Sequence, residues 1–266
     1  MSSQYLLPML YTLFVWWFST GVILYLNGLP RWTYRWTMAA ATLLLAIALL
    51  GLYATRNDTR ITGSYLSFTC ALLVWAWQEV AFLLGFVTGP RRTPCPPGAL
   101  RWRRAGFALQ ALLHHEVALM VLGVAVFALT WNGRNPTGML TFAILWVMRQ
   151  SAKLNVFLGV RNLNEDFLPA HLKYLQTYFS RRPMNSLFPV SVVVSTWMAV
   201  LLWQGALADG ISAFEATALT FAGTLLSLAI VEHWFMVLPL PSEALWSWGL
   251  RSRQLTHGEG AGTERL

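Results

Sequence analysis

Charge is scarce in this chain. Asp, Glu, Lys and Arg supply 11% of its 266 residues, while hydrophobic residues supply 56%. So few charges cannot clothe a soluble domain of this size, and the mean hydropathy of +0.50 points to a bilayer. Alternating apolar–polar segments of ~10 residues are missing too, which excludes a membrane β-barrel. The two cysteines, Cys70 and Cys95, lack CxxC spacing, so no disulfide framework, haem attachment or zinc site follows. Five histidines are too few for the histidine-rich boxes of membrane desaturases and hydroxylases. No glutamate is followed three residues later by histidine, the pair used by ferritin-like di-iron bundles. Nucleic-acid motifs are absent, so the net charge of +8 reads as loop arginine and lysine beside a membrane. Met1–Pro8 lacks the basic flank of a secretory signal, and the first apolar run is expected to stay attached.

What the chain does have is long apolar runs. About 20 such residues at ~1.5 Å rise cross ~30 Å of hydrocarbon. The runs predict an all-α integral membrane protein with about seven transmembrane helices, at residues 5–26, 37–53, 61–87, 107–131, 137–158, 187–207 and 211–238, within one polytopic domain 1–250. The fifth run is the least apolar, because Arg149, Gln150 and Lys153 interrupt it. It is either a full crossing with those groups turned inward or a shorter re-entrant piece. Residues 155–182 are amphipathic and predict a helical segment along the membrane surface, in which Asn155, Asn162, Asn164, Glu165, Asp166 and His171 either belong to a cytoplasmic lid over the polar cluster or form the water-facing side of a surface helix. Residues 251–266 predict a polar, flexible tail.

Seven crossings put the termini on opposite sides, and the distribution of basic residues orients them. With the amino terminus outside and the carboxyl terminus cytoplasmic, 16 of the 19 Lys and Arg fall on the cytoplasmic side, leaving Arg56, Arg60 and Arg134 outside.

Three of the runs carry costly polar groups: Gln78-Glu79 in the third, His114-His115-Glu116 in the fourth and Glu232-His233 in the seventh. Such groups within a bilayer cost several kcal/mol unless they pair, bind something or meet water. Counted from Arg91 and Arg104, Glu79 and His115 lie ~16–18 Å along their helices, in the cytoplasmic half. Successive helical residues diverge by ~100°, so His115 and Glu116 can share a focus while His114 turns toward another helix. The candidate intramembrane site is therefore Glu79, His115, Glu116, Glu232 and His233, supported by Gln78, His114, Arg149, Lys153, Asn155 and His171.

Several chemistries suit that set. Carboxylates with imidazoles are ligands for non-haem iron or another divalent metal. An imidazole among 14 Trp and 15 Phe suits axial ligation of a bound tetrapyrrole. Alternatively the groups pair with each other, Glu79 or Glu116 with Arg149 or Lys153 and Glu232 with a histidine, and only hold the helices in register. A transport path fits poorly, because the outer halves of the fourth and seventh runs are apolar and no internal repeat exists.

Four stretches together resemble a known family: Trp77-Gln78-Glu79, His114-His115-Glu116, Lys153-Leu154-Asn155-Val156-Phe157-Leu158-Gly159-Val160, and the run Glu232-His233-Trp234-Phe235-Met236-Val237-Leu238-Pro239-Leu240-Pro241. They look like the photosynthetic complex assembly protein 2, or PuhE, family, over nearly the whole chain to about Trp248. That resemblance implies a multi-pass protein of the inner (cytoplasmic or intracytoplasmic) membrane of a phototrophic bacterium. It implies a role in photosynthetic complex assembly and bacteriochlorophyll supply, with reaction-centre or light-harvesting subunits or pigment-synthesis enzymes as partners. It assigns no catalytic residue. A metal-dependent membrane enzyme acting on a bacteriochlorophyll precursor, and a pigment carrier or transporter, are the competing functions.

Overall fold

The computed structural model describes residues 4–163 and 165–253; Asn164 and the tail beyond Arg253 lie outside them. Among the described residues, seven α-helices of 20 residues or more form a bundle with no β-strand. They are α1 (Leu6–Asn27), α2 (Tyr34–Thr55), α3 (Ile61–Leu83), α4 (Arg101–Thr130), α5 (Thr137–Leu158), α6 (Leu187–Ala206) and α7 (Ala213–Phe235). All except α5 are both long and apolar enough to cross a membrane. The chain is thus a helical membrane protein.

Helix α7 is the hub. Its buried stripe is rich in small residues, among them Ala216, Ala218, Ala222 and Gly223, which let neighbouring backbones approach closely. Phe221 stacks on Phe68 of α3 at 4.3 Å between ring centroids. Ser212 and Glu215 start the helix with a capping box, each side chain serving the other's main-chain N–H. By contrast α2 fully buries only Ala48, Leu52 and Thr55, with Leu45 and Leu49 partly buried against the core.

Two asparagines tie the ends of α5 into the bundle. At one end, buried Asn135 donates to Thr55 O and Gly63 O, both at 3.1 Å, joining the α4–α5 turn to α2 and α3. At the other, buried Asn185 donates to Asn155 O and Gly159 O while its Oδ1 accepts from the first N–H groups of α6. Helix α5 therefore runs the whole length of the bundle. Its 22 residues at ~1.5 Å rise give ~33 Å.

The Asn185 end carries a cap. The loop after α3 and the segment after α5 fold together over α4, which is longer than its neighbours by about a third. Phe82 at the end of α3 lies 4.5 Å from the His115 ring, so Arg101–His114 projects roughly 20 Å past α3. Four predicted boundaries move accordingly. Helix α3 ends at Leu83 rather than near residue 87, because Gly85 turns at φ +82. Helix α4 begins at Arg101 rather than near 107, with Arg104 of its first turn bonded to the cap. In place of an amphipathic α-helix, Ala170–Tyr178 is a 3-10 helix that buries Leu172, Leu175 and Tyr178 against Phe82 and Ala111. Arg251–Arg253, assigned above to the flexible tail, are helical. This last stretch lies along α1: Trp246 donates to Trp17 O, Ser252 to Tyr25 O, and Gly249 lies directly against Gly21.

Candidate functional site at the capped end

The His114-His115-Glu116 tripeptide splits three ways, as the ~100° step of a helix requires. His114 is exposed on the outer face of α4. His115 is buried, 1% exposed, with Phe82 against its ring and its main-chain N–H donating to Thr88 O at 2.9 Å. Glu116 turns to α5, where both oxygens are occupied: Oε1 by Lys153 Nζ at 2.6 Å and Oε2 by Gln150 Nε2 at 2.7 Å. His115 and Glu116 do not share a focus.

One helical turn earlier on α5, Arg149 donates to Glu79 Oε2 at 2.9 Å. Helix α5 thus presents two adjacent cations, one clamped to α3 and one to α4. A charge inside a bilayer is tolerable when its opposite sits within hydrogen-bond range, and both cations of α5 meet that condition. The sequence pattern explains the geometry, since residues four apart lie above one another on a single face.

The α7 pair follows a different logic. Glu232 is exposed beside α1 and accepts from Trp16 Nε1 at 2.7 Å, not from a histidine. His233 is buried, with Nδ1 2.9 Å from Ala229 O and Nε2 2.9 Å from Ser151 Oγ. A carbonyl facing Nδ1 places the proton there, leaving Nε2 to accept from the serine. Asn155, one turn along α5 from Ser151, is fully buried and donates to Ser151 O and Ser191 Oγ.

Gln78 is 1% exposed, and neither end of its amide meets a protein partner. The Thr88 hydroxyl and His115 Nδ1 are buried in the same condition. His171 belongs elsewhere, in the cap, with its ring against Gly85 and 6.4 Å from that of Tyr34. Burial first, and then nearby Arg31, hold its pKa below the usual histidine value, against a hydrogen bond to the Leu83 main chain.

These positions bear on the metal and pigment alternatives. Among the described residues no three of His, Cys, Asp and Glu come together. Glu79 and Glu116 are already neutralised by cations, and His115 faces an aromatic ring. The donor set does not fit non-haem iron or a di-metal site. A tetrapyrrole is no better served by the buried imidazoles, because His233 has used both nitrogens and His115 is enclosed. Arg104 reaches back to Phe157 O, Tyr178 O and Ser180 Oγ inside the cap. His115 therefore lies at the rim of the bundle, where α3 ends.

Four participants escaped the sequence reading of the site: Trp16, Gln150, Ser151 and Thr88. Gln150 alone carried a signal, being three residues before Lys153 on the same face. Beside these contacts, an apolar groove of about 420 Å³ opens between α5 and α6, lined by Trp146, Val147, Leu154, Leu187 and Ser191, with Gln150 and Ser151 in its wall. A larger hollow of about 890 Å³ lies at the opposite end of the bundle, between Arg60, Arg134 and the start of α7.

No solved structure matches the chain. A Rhodobacter capsulatus protein described as "Uncharacterized 30.4 kDa protein in puhA 5'region" is 40% identical over 247 residues, covering 91% of this chain and 89% of that protein. The family model described as "Protein of unknown function (DUF3623)" matches residues 1–257, and the chain belongs to that family.

Proposed function

We propose that this protein is a non-enzymatic assembly factor of the bacterial inner membrane, supporting photosynthetic complex assembly and bacteriochlorophyll supply. The observation that carries the reading is its 40% identity, over nearly its full length, to a protein of the puhA 5′ region, which is a photosynthesis gene region. The resemblance to the PuhE family points the same way. In this reading the chain crosses seven times, amino terminus outside and cap in the cytoplasm. Helix α5 counts as a crossing because it spans the bundle and its cations are paired with Glu79 and Glu116. The cap, the α1–α2 turn and the carboxyl end together then hold most of the basic residues, in keeping with the excess of Lys and Arg on cytoplasmic faces.

The charged residues act here as fasteners. They fix α3, α4 and α5 against one another and so hold the cap at a set height for reaction-centre or light-harvesting subunits, or pigment-synthesis enzymes, to meet. Deleting the gene in a phototrophic host and measuring complex and bacteriochlorophyll levels tests the role. Wild-type levels of both would end the proposal. Complementation with Glu116→Gln/Lys153→Gln separates the classes: an assembly factor keeps working wherever the variant accumulates, whereas an enzyme using Glu116 or Lys153 loses function with the protein intact.

A further inference from the structure

The loop after α3 and the 3-10 helix Ala170–Tyr178 meet along a seam in the cap. Residues three apart eclipse in a 3-10 helix, so His171, Tyr174 and Thr177 form one edge, beside the apolar edge of Leu172, Leu175 and Tyr178. Both ends of the first edge are set against the loop. The His171 ring lies against Gly85, and Thr177 Oγ1 accepts from the Cys95 N–H at 2.8 Å. Tyr174, between them, faces the intervening loop residues and packs on the same cluster as Phe82. Burial raises the Tyr174 pKa, and the nearby Thr88 hydroxyl works against that rise. Beneath, Thr88 O accepts from the His115 N–H at 2.9 Å, and the His115 ring lies 4.5 Å from that of Phe82.

Four buried polar atoms belong to this seam: His171 Nε2, Tyr174 Oη, Thr88 Oγ1 and His115 Nδ1. None has a hydrogen-bond partner among the described residues. Thr88 and His115 are each 1% exposed. Buried donors and acceptors in folded proteins are nearly always bonded, either to protein or to ordered water. Hydroxyl, phenol and imidazole groups together both give and take hydrogen bonds, as water does, and no carboxylate stands among the four to hold a cation. A buried water makes about three hydrogen bonds, so polar atoms gathered from facing elements are what it needs.

We infer that the seam is a binding site for ordered water, held by Thr88, Tyr174, His115 and His171. Water there joins the middle of the 3-10 helix to the loop, as Thr177 joins its end directly. It keeps Thr88, and with it the main chain of His115, in place beneath the cap. The site does not depend on a photosynthetic role, and would serve any function of this fold.

The test is radiolytic labelling of the full-length protein in mild detergent and in water enriched in heavy oxygen. Radicals formed from bound water oxidise the side chains beside it, and mass spectrometry reads the heavy oxygen gained. Phe68 and Phe221, stacked and both fully buried, are the dry reference. With bulk radicals scavenged, Phe82 and His115 should be labelled roughly tenfold faster than that pair. Equal rates would overturn the site. Thr88→Val/Tyr174→Phe removes two hydroxyls with little change in size and should cut the labelling of Phe82 about fivefold, whereas Thr88→Ser should label as the wild type does. An undiminished signal in the double variant, or an equal loss in Thr88→Ser, would overturn the assignment to these hydroxyls. Hydrogen exchange separates bound water from a lifting of the cap. A protected His115 amide supports bound water, and an unprotected one would overturn it by admitting bulk solvent.

Discussion

Lys153 Nζ lies 2.6 Å from Glu116 Oε1, joining α5 to α4, and Gln150 fills the other carboxylate oxygen. Both side chains keep only about a fifth of their surface, at 21% and 19%. Removing one partner strands the other charge in a poorly solvated place. Lys153→Met should destabilise the detergent-solubilised protein by roughly 3 kcal/mol, with much of that loss recovered in Glu116→Gln/Lys153→Met. Thermal unfolding of the two variants checks it, and a double variant no better than the single would mean the pair is not the fastener described.

The neighbouring pair should matter less. Arg149 is 41% exposed while Glu79 is 12% exposed, so this pair is less enclosed by protein than the α4–α5 one. Arg149→Gln is expected to cost up to about 1 kcal/mol, well short of Lys153→Met, because partly exposed ion pairs contribute little. Ranking the two by unfolding midpoint decides whether the α4–α5 clamp dominates.

Gly89 is where the loop after α3 presses onto α4. A Cβ there would stand 2.1 Å from Gln110 O and 2.5 Å from the Ala111 carbonyl carbon, atoms of a helix backbone that cannot step aside. Gly89→Ala should lift the loop, with a loss on the order of 2 kcal/mol. It should also weaken the bond from His115 N–H to Thr88 O. Hydrogen exchange at the His115 amide is the direct readout: protection unchanged from wild type would contradict the close approach.

Acid sensitivity should arise in the cap. His171 has its pKa lowered from 6.5 in the fold, so the unfolded chain binds more protons than the folded one in the window below 6.5. Its contribution is full above 6.5 and is lost as pH falls toward the folded value. Melting between about pH 7.5 and about pH 5.5 should therefore show a fall in midpoint that shrinks in His171→Gln. Asp58 cannot cause this, since Arg60 holds its pKa at about 2 and its effect is confined to more acid solutions.

Hydropathy made most of the bundle legible from sequence. Residues 187–207 and 211–238 were foreseen within a few positions of α6 and α7, because uninterrupted apolar runs have one economical conformation in lipid. The start of α4 was hidden: Arg101, Arg103 and Arg104 look like a loop until the contacts of Arg104 with the cap are known. In residues 172, 175 and 178, the three-residue spacing of Leu, Leu and Tyr was a 3-10 signal taken for part of an α-helical face. At the site, pairing of Glu79 and Glu116 with Arg149 and Lys153 was among the readings the sequence left open, whereas the partner of Glu232 was misplaced on a histidine. The pairing of Glu232 with Trp16 spans 216 residues, and nothing local in either segment announces it.

That distance has a consequence for how the molecule is made. The first described helix, α1, is fastened by the last described residues: Trp17 by Trp246, Tyr25 by Ser252, Asn27 by Arg253, and Gly21 by Gly249. The face of α1 that these residues cover must therefore wait, bare, until residues 246–253 have been synthesised, although Tyr11 can meet α3 earlier. Closure of the ring of contacts is a late event, and a nascent chain halted before residue 246 holds every transmembrane segment yet lacks the strap that secures the first.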